Sequence, residues 1–106
     1  MALTRDYKAT VLARIKRDPK FARALYAEAM NAILDGETEE GLSMLRDLIH
    51  AEISFRELAR QTGLSEKSLH RMLSKRGNPT LKSLGAITLA IHREIGCCPR
   101  IVMAAA

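Results

Sequence analysis

The sequence predicts an all-α fold, and three features point to it. Hydrophobic residues make up 47% of the chain but aromatics only 4%, with no Trp, so the core must come from Leu, Ile, Ala and Met, which favour helices over strands. Apolar residues recur every three or four positions in successive stretches. Between those stretches stand start and stop signals: Asp18-Pro19, Asp35-Gly36, Ser54, Gly63, Thr80 and Gly96. At 106 residues the chain is long enough for one core but small for a deep enzyme cleft.

From Thr4 to Arg17, Tyr7, Val11, Leu12 and Ile15 fall at helical intervals among Arg5, Lys8, Arg14, Lys16 and Arg17. This is a short basic amphipathic helix, and a solvated face on a packing helix is a better reading of it than a membrane or phosphate contact. Asp18-Pro19 restarts the chain, because proline at the first helical position gives up an amide that would have no partner there. Phe21, Ala22, Leu25, Tyr26, Ala29, Met30 and Ile33 give the second helix a broad apolar face, which Asp35-Gly36 ends. Thr38, Glu39 and Glu40 read as a cap and acidic first turn of a third helix to about His50, with Leu42, Leu45, Leu48 and Ile49 inward.

Phe55 to Ser74 is the stretch on which function turns. Ser54 and Glu57 are spaced as a capping box, in which the hydroxyl accepts from an early helix amide and the glutamate reaches back to the serine amide. Ala59 is small where a second helix would cross, Gly63 suits the left-handed conformation that ends a helix, and Leu64 closes the corner. Ser65 caps the next helix, with Leu69, Met72 and Leu73 inward and Lys67, His70, Arg71, Ser74 and Lys75 outward. Small Ala, turn Gly and buried Leu at these offsets resemble the DNA-binding helix-turn-helix. Arg76 to Pro79 then reads as a loop, and Thr80 caps a final helix with Leu81, Leu84, Ile87, Thr88 and Ile91 on one face and Gly96 as its stop. The chain thus divides into an N-terminal helical extension over residues 1–36, a helix-turn-helix domain over 37–96 and a short tail over 97–106, the tail being either disordered or a short edge strand.

Charge follows the same divisions. The net of +5 splits into +4 for residues 1–34, −5 for 35–53, +4 for 54–78 and +2 for 79–106. Concentrated positive charge on the motif suits a polyanion, and the acidic stretch is expected to face away from it or toward a partner. Cys97 and Cys98 are adjacent, which disfavours a disulfide framework and suits a reducing cytoplasmic compartment; no signal peptide or membrane-spanning run is evident. His50, His70 and His92 stand about twenty residues apart with no ligand spacing, and no nucleophile or phosphate-loop motif occurs, so neither a metal, a cofactor nor catalysis is expected.

Asp35-Gly36, Leu45 to Ile49, Phe55 to Gly63, Lys67 to Leu73 and Gly77 to Thr80 together resemble small bacterial regulators of the lambda-repressor-like (XRE-type) family known as addiction-module antidotes. The resemblance covers roughly two-thirds of the chain and implies a domain of about five helices, binding of double-stranded DNA at an inverted repeat as a homodimer, autoregulatory repression, and in some members a toxin protein as partner. Two positions depart from the wider phage-repressor pattern: Phe55 stands where a DNA-contacting Gln is common, and Leu73 where Glu is common. The second motif helix would then lie in the major groove, with Lys67, Ser68, His70 and Arg71 meeting base edges and Arg56, Ser65, Lys75, Arg76 and Asn78 meeting phosphates. The dimer interface is expected on the final helix around Leu84, Ile91 and Ile95 and on the tail, with the N-terminal helices as the alternative. A different class of function, a helical module docking a partner protein on Glu37, Glu39, Glu40 and Asp47, competes with this reading. RNA binding is weaker for want of surface aromatics.

Overall fold

The computed structural model describes the backbone of residues 5–106 and side chains from Tyr7 onward, so the predicted helix start at Thr4 lies outside the described residues. Six helices follow one another: α1 (Arg5–Arg17), α2 (Pro19–Leu34), α3 (Thr38–Glu52), α4 (Phe55–Thr62), α5 (Glu66–Met72) and α6 (Leu81–Ile95). No strand occurs among the described residues, and the tail after Gly96 has no regular structure.

Local signals set most of the boundaries. The Asp18 carboxylate accepts from the amides of Lys20 and Phe21, with Pro19 opening α2. α2 ends in a Schellman motif, the Glu37 amide donating to the Ala32 carbonyl and the Gly36 amide to that of Ile33, which requires the positive φ of Gly36 at +86°. α3 departs from expectation at both ends. It is preceded by Glu37, whose side chain makes no capping bond, so Thr38 is the first helical residue rather than the cap, and it runs on to Glu52. Its start is fixed instead by the Schellman turn immediately before it.

One apolar core receives side chains from every helix: Ile15 of α1, Tyr26 and Ala29 of α2, Leu45, Leu48 and Ile49 of α3, Leu58 of α4, Leu69 of α5, and Ile87 and Ile91 of α6. The α2/α3 crossing is tight because Gly41 sits in it. A methyl group there would lie 2.8 Å from the Ala29 carbonyl oxygen and 2.5 Å from Cγ1 of Ile33. α1 is tied to the same body by Lys8, whose ammonium donates to both oxygens of Asp47 at 3.2 Å. Of the acids expected to form an interaction face, Asp47 is therefore already paired within the chain.

Two expectations for α6 are corrected. Leu81 is 86% exposed rather than inward, because the helix's first turn projects beyond the core. Ile91 is buried, and Leu84 and Ile95 pack against the core, so the three residues expected at a dimer interface are turned into their own subunit.

Candidate nucleic-acid interface

α4 and α5 form a helical hairpin with a three-residue corner, Gly63 to Ser65. Gly63 adopts φ +76° and its amide donates to the Ala59 carbonyl at 2.9 Å. Thr62 threads the corner, its hydroxyl donating to the Leu58 carbonyl at 2.8 Å and accepting from the Leu64 amide at 3.3 Å. Ser65 caps α5 by accepting from the Ser68 amide at 3.1 Å, and its hydroxyl donates to that of Ser68 at 3.0 Å.

At the start of α4 only half of the capping box forms. The Ser54 hydroxyl accepts from the Glu57 amide at 3.1 Å, but the Ser54 amide donates backward to the Ile49 carbonyl of α3 at 2.7 Å. Glu57 turns instead to Arg60 and to Gln61 Nε2, 3.0 Å away, and the Arg60 and Gln61 hydrogen bonds hold its carboxyl down at about 2. The backward bond holds Ser54 at φ +94°, ψ 150°, a region populated almost only by glycine. The α3–α4 junction therefore carries backbone strain.

α5 buries little of itself. Leu69 and, just past the helix end, Leu73 are fully buried and Met72 partly so, while Lys67, His70 and Arg71 are exposed along the outer face. A contact from α3 holds this short helix at its C-terminal end. Arg46 Nη1 donates to the carbonyl of Leu73, the α5 C-cap, at 2.7 Å, which places a cation on the negative end of the helix and satisfies an orphan carbonyl. Nothing in the spacing of Arg46 and Leu73, 27 residues apart, signals this bond.

His70 lies flat on Phe55, ring centroids 3.9 Å apart and planes 13° off parallel, with His50 on the other side of the cluster at 4.7 Å from Phe55 and 6.1 Å from His70. Phe55 itself is buried, so it serves as a platform for a histidine on the outer face. Burial first, and the neighbouring His70 second, push the His50 pKa below its ordinary value. The two histidines are spatial neighbours although twenty residues apart in sequence; no group of three or more metal-ligating side chains occurs among the described residues.

Beyond α5 the loop 74–79 doubles back over the helix end. A methyl group on Gly77 would stand 1.9 Å from the Met72 carbonyl oxygen and 2.8 Å from that of Arg71, so no other residue fits this approach. The fold-back gathers Arg71, Ser74, Arg76 and Asn78 around an open depression of about 440 Å³, with Thr80 on its far wall. Thr80 caps α6 by accepting from the Ser83 amide at 3.1 Å.

The nine predicted contact residues fall into groups. Lys67, His70 and Arg71 share the exposed face of α5; Ser65 and Ser68 sit at its N-terminus with their hydroxyls bonded to each other; Arg76 and Asn78 join Arg71 at the depression; and Arg56 is exposed on the first turn of α4. Lys75 is exposed but lies 3.9 Å from Glu39 of α3. The acidic stretch expected to face away from the motif therefore reaches its edge at this point. Arg56, Lys67, Arg71 and Arg76 form no ion pair among the described residues, unlike Arg60, which is bound to Glu57. Arg46 is the residue that sequence reasoning missed, and it was visible there only as the lone cation of the acidic stretch.

Compared with protein-family models, curated proteins and solved structures, the chain matches none. No helix among the described residues is long and apolar enough to cross a membrane.

Proposed function

We propose that this protein is a sequence-specific regulator that binds double-stranded DNA, with α5 in the major groove and loop 74–79 on the adjoining backbone. The observation that supports this most directly is the outer face of α5, where Lys67 and Arg71 stand one turn apart with no acidic partner, beside Arg76 and Asn78 at the loop. Arg71 presents a planar fork suited to the O6 and N7 of guanine, with Lys67, Ser68 and His70 reading neighbouring edges. Arg56, Ser65, Lys75, Arg76 and Asn78 take phosphates, Lys75 first releasing Glu39. One such helix reads only a few base pairs, so two copies bind an inverted repeat, and repression of the protein's own promoter follows the lambda-repressor-like resemblance. An antitoxin role beside a toxin protein belongs to the same reading.

A protein-docking role draws on a separate feature, the tail residues Ile101, Val102 and Met103, which are 76%, 83% and 90% exposed. Fluorescence anisotropy with the duplex lying immediately upstream of the gene, against a shuffled duplex of equal length over a salt series, separates the two. Upstream binding orders of magnitude tighter than shuffled binding is expected, with Arg71→Ala costing about 1–3 kcal/mol and relaxing one base position. Equal, steeply salt-dependent binding to both duplexes would reject sequence reading and favour the protein partner.

A further inference from the structure

We propose that His50 and His70 form a binding site for one divalent transition ion of the zinc, nickel or copper type, held by an imidazole from α3 and an imidazole from α5. The site rests on side-chain geometry and stands apart from the DNA-binding reading, although an ion there engages His70, one of the residues assigned to base edges.

Twenty residues separate the two histidines along the chain, which is no ligand spacing, but the packing of the helices brings their ring centroids to 6.1 Å. An ion of this type lies about 2.0–2.1 Å from an imidazole nitrogen and so about 3.2 Å from the ring centre, which sets two rings on one ion about 5.2 Å apart at a tetrahedral angle and about 6.4 Å apart in line. The observed separation falls inside that range. Both side chains are exposed, so an ion reaches them from the outer surface, and turning a nitrogen of each toward a common point takes rotation about side-chain bonds without movement of α3 or α5.

Phe55 orders the pair in advance. Its ring is buried, His70 lies over it at 3.9 Å and 13° from parallel, and His50 is 4.7 Å away at 54°. The three separations make close to a right angle at Phe55, with His70 over the face of the phenyl ring and His50 at its edge. Restricting both imidazoles before the ion arrives lowers the entropy lost on binding.

The donor set selects the ion. Imidazole nitrogens suit zinc, nickel and copper, whereas magnesium and calcium take oxygen ligands. The nearest carboxylate, Asp47 one turn earlier on α3, already accepts from Lys8 with both oxygens and is not a third ligand, so the remaining positions go to water. Neutral imidazole is the ligating form, and of the influences on His50 burial, His70, Arg46 and Lys8 all favour it while the Asp47 carboxylate alone opposes.

Isothermal titration calorimetry of the full-length chain at neutral pH, with Cys97→Ser and Cys98→Ser so that thiols do not compete, tests this without DNA. One Zn2+ per chain is expected, with Cu2+ binding tighter than Zn2+ and Mg2+ giving no binding heat. His50→Gln and His70→Gln should each raise the Zn2+ dissociation constant about 10-fold or more with unchanged helical circular dichroism, whereas His92→Gln should leave it as it was. No saturable Zn2+ binding, two ions per chain, or binding that survives either His50→Gln or His70→Gln would each overturn the proposal. Because no DNA is present, failure here leaves the DNA reading untouched, and failure of DNA binding leaves this site standing.

Discussion

The α2–α3 hairpin and the α4–α5 hairpin use the same parts to different ends. Each turns on a positive-φ glycine, Gly36 in one and Gly63 in the other, and each follows a helix of good propensity into a second. The first pair is 16 and 15 residues long and is held by area, with seven apolar side chains of α2 sharing one core with Leu42, Leu45, Leu48 and Ile49 and a glycine at the crossing. The second pair is 8 and 7 residues long and buries only Phe55, Leu58 and Leu69 fully. Helices this short are not stable on propensity alone, so α5 depends on what fastens its ends: Ser65 at the start, Arg46 and the Gly77 fold-back at the finish. A short helix fixed at both ends leaves its outer face free for a ligand, whereas a long helix held by area spends its face on the core.

That contrast breaks most sharply at the two crowded glycines. Gly77→Ala is expected to cost about 3 kcal/mol, because the added carbon meets the Met72 backbone, which cannot yield without unwinding α5. Gly41→Ala should cost less, about 2 kcal/mol, since its nearest neighbour is a side-chain atom, Cγ1 of Ile33, and the backbone atom it meets, the Ala29 carbonyl oxygen, stands farther off at 2.8 Å. Thermal melts of both variants check the order; an equal or reversed order would mean that the α5 fold-back is not what the short helix depends on.

Arg46→Met is expected next, at about 2 kcal/mol, because it removes a charge-assisted bond and leaves the Leu73 carbonyl without its α3 donor. Hydrogen exchange should localise the loss to α5 while α2 stays protected. Uniform loss of protection would show that Arg46 acts on the whole fold instead.

Ser54→Gly is expected to stabilise the protein by about 1 kcal/mol, or roughly 4–8 °C in Tm. Glycine keeps most of the N-cap preference and relieves the φ of +94°, whereas Ser54→Ala loses the cap, keeps the strain and should cost about 1 kcal/mol. Finding both variants destabilised would refute strain at the α3–α4 junction.

The smallest effect is expected at Glu57. Its folded pKa of about 2 lies below its ordinary 4.5, so its contribution is complete above about 4.5 and fades as pH falls toward 2. Glu57→Gln should therefore flatten the acid limb of the stability profile across that window, its small cost being present above about 4.5 and vanishing as pH falls toward 2. The group is exposed, so a variant that lost much of its stability at pH 7 would contradict this.

Much of the hairpin contrast is already legible in the sequence. Asp18, Ser65 and Thr80 cap their helices as expected, and Gly36, Gly63 and Gly96 stop theirs, because each acts on amides or carbonyls a few positions away. Glu57 shows how such an expectation fails: its spacing from Ser54 fits a capping box, yet Arg60 and Gln61 offer its carboxylate two donors while Ile49 takes the serine amide. Leu81 fits the apolar period of α6 but starts the helix beyond the reach of the core.

The sequence by itself determined the all-helical class, the order of the helices and the basic outer face of α5, since periodicity, capping and composition are local properties. Only the tertiary structure decided that Arg46 holds the end of α5, that Glu39 reaches Lys75, that Phe55 carries His70, and that Gly77 is confined while Gly85 is open. Those facts depend on distances between atoms many residues apart along the chain. Such distances are set by how the helices cross, and no spacing along the chain records them.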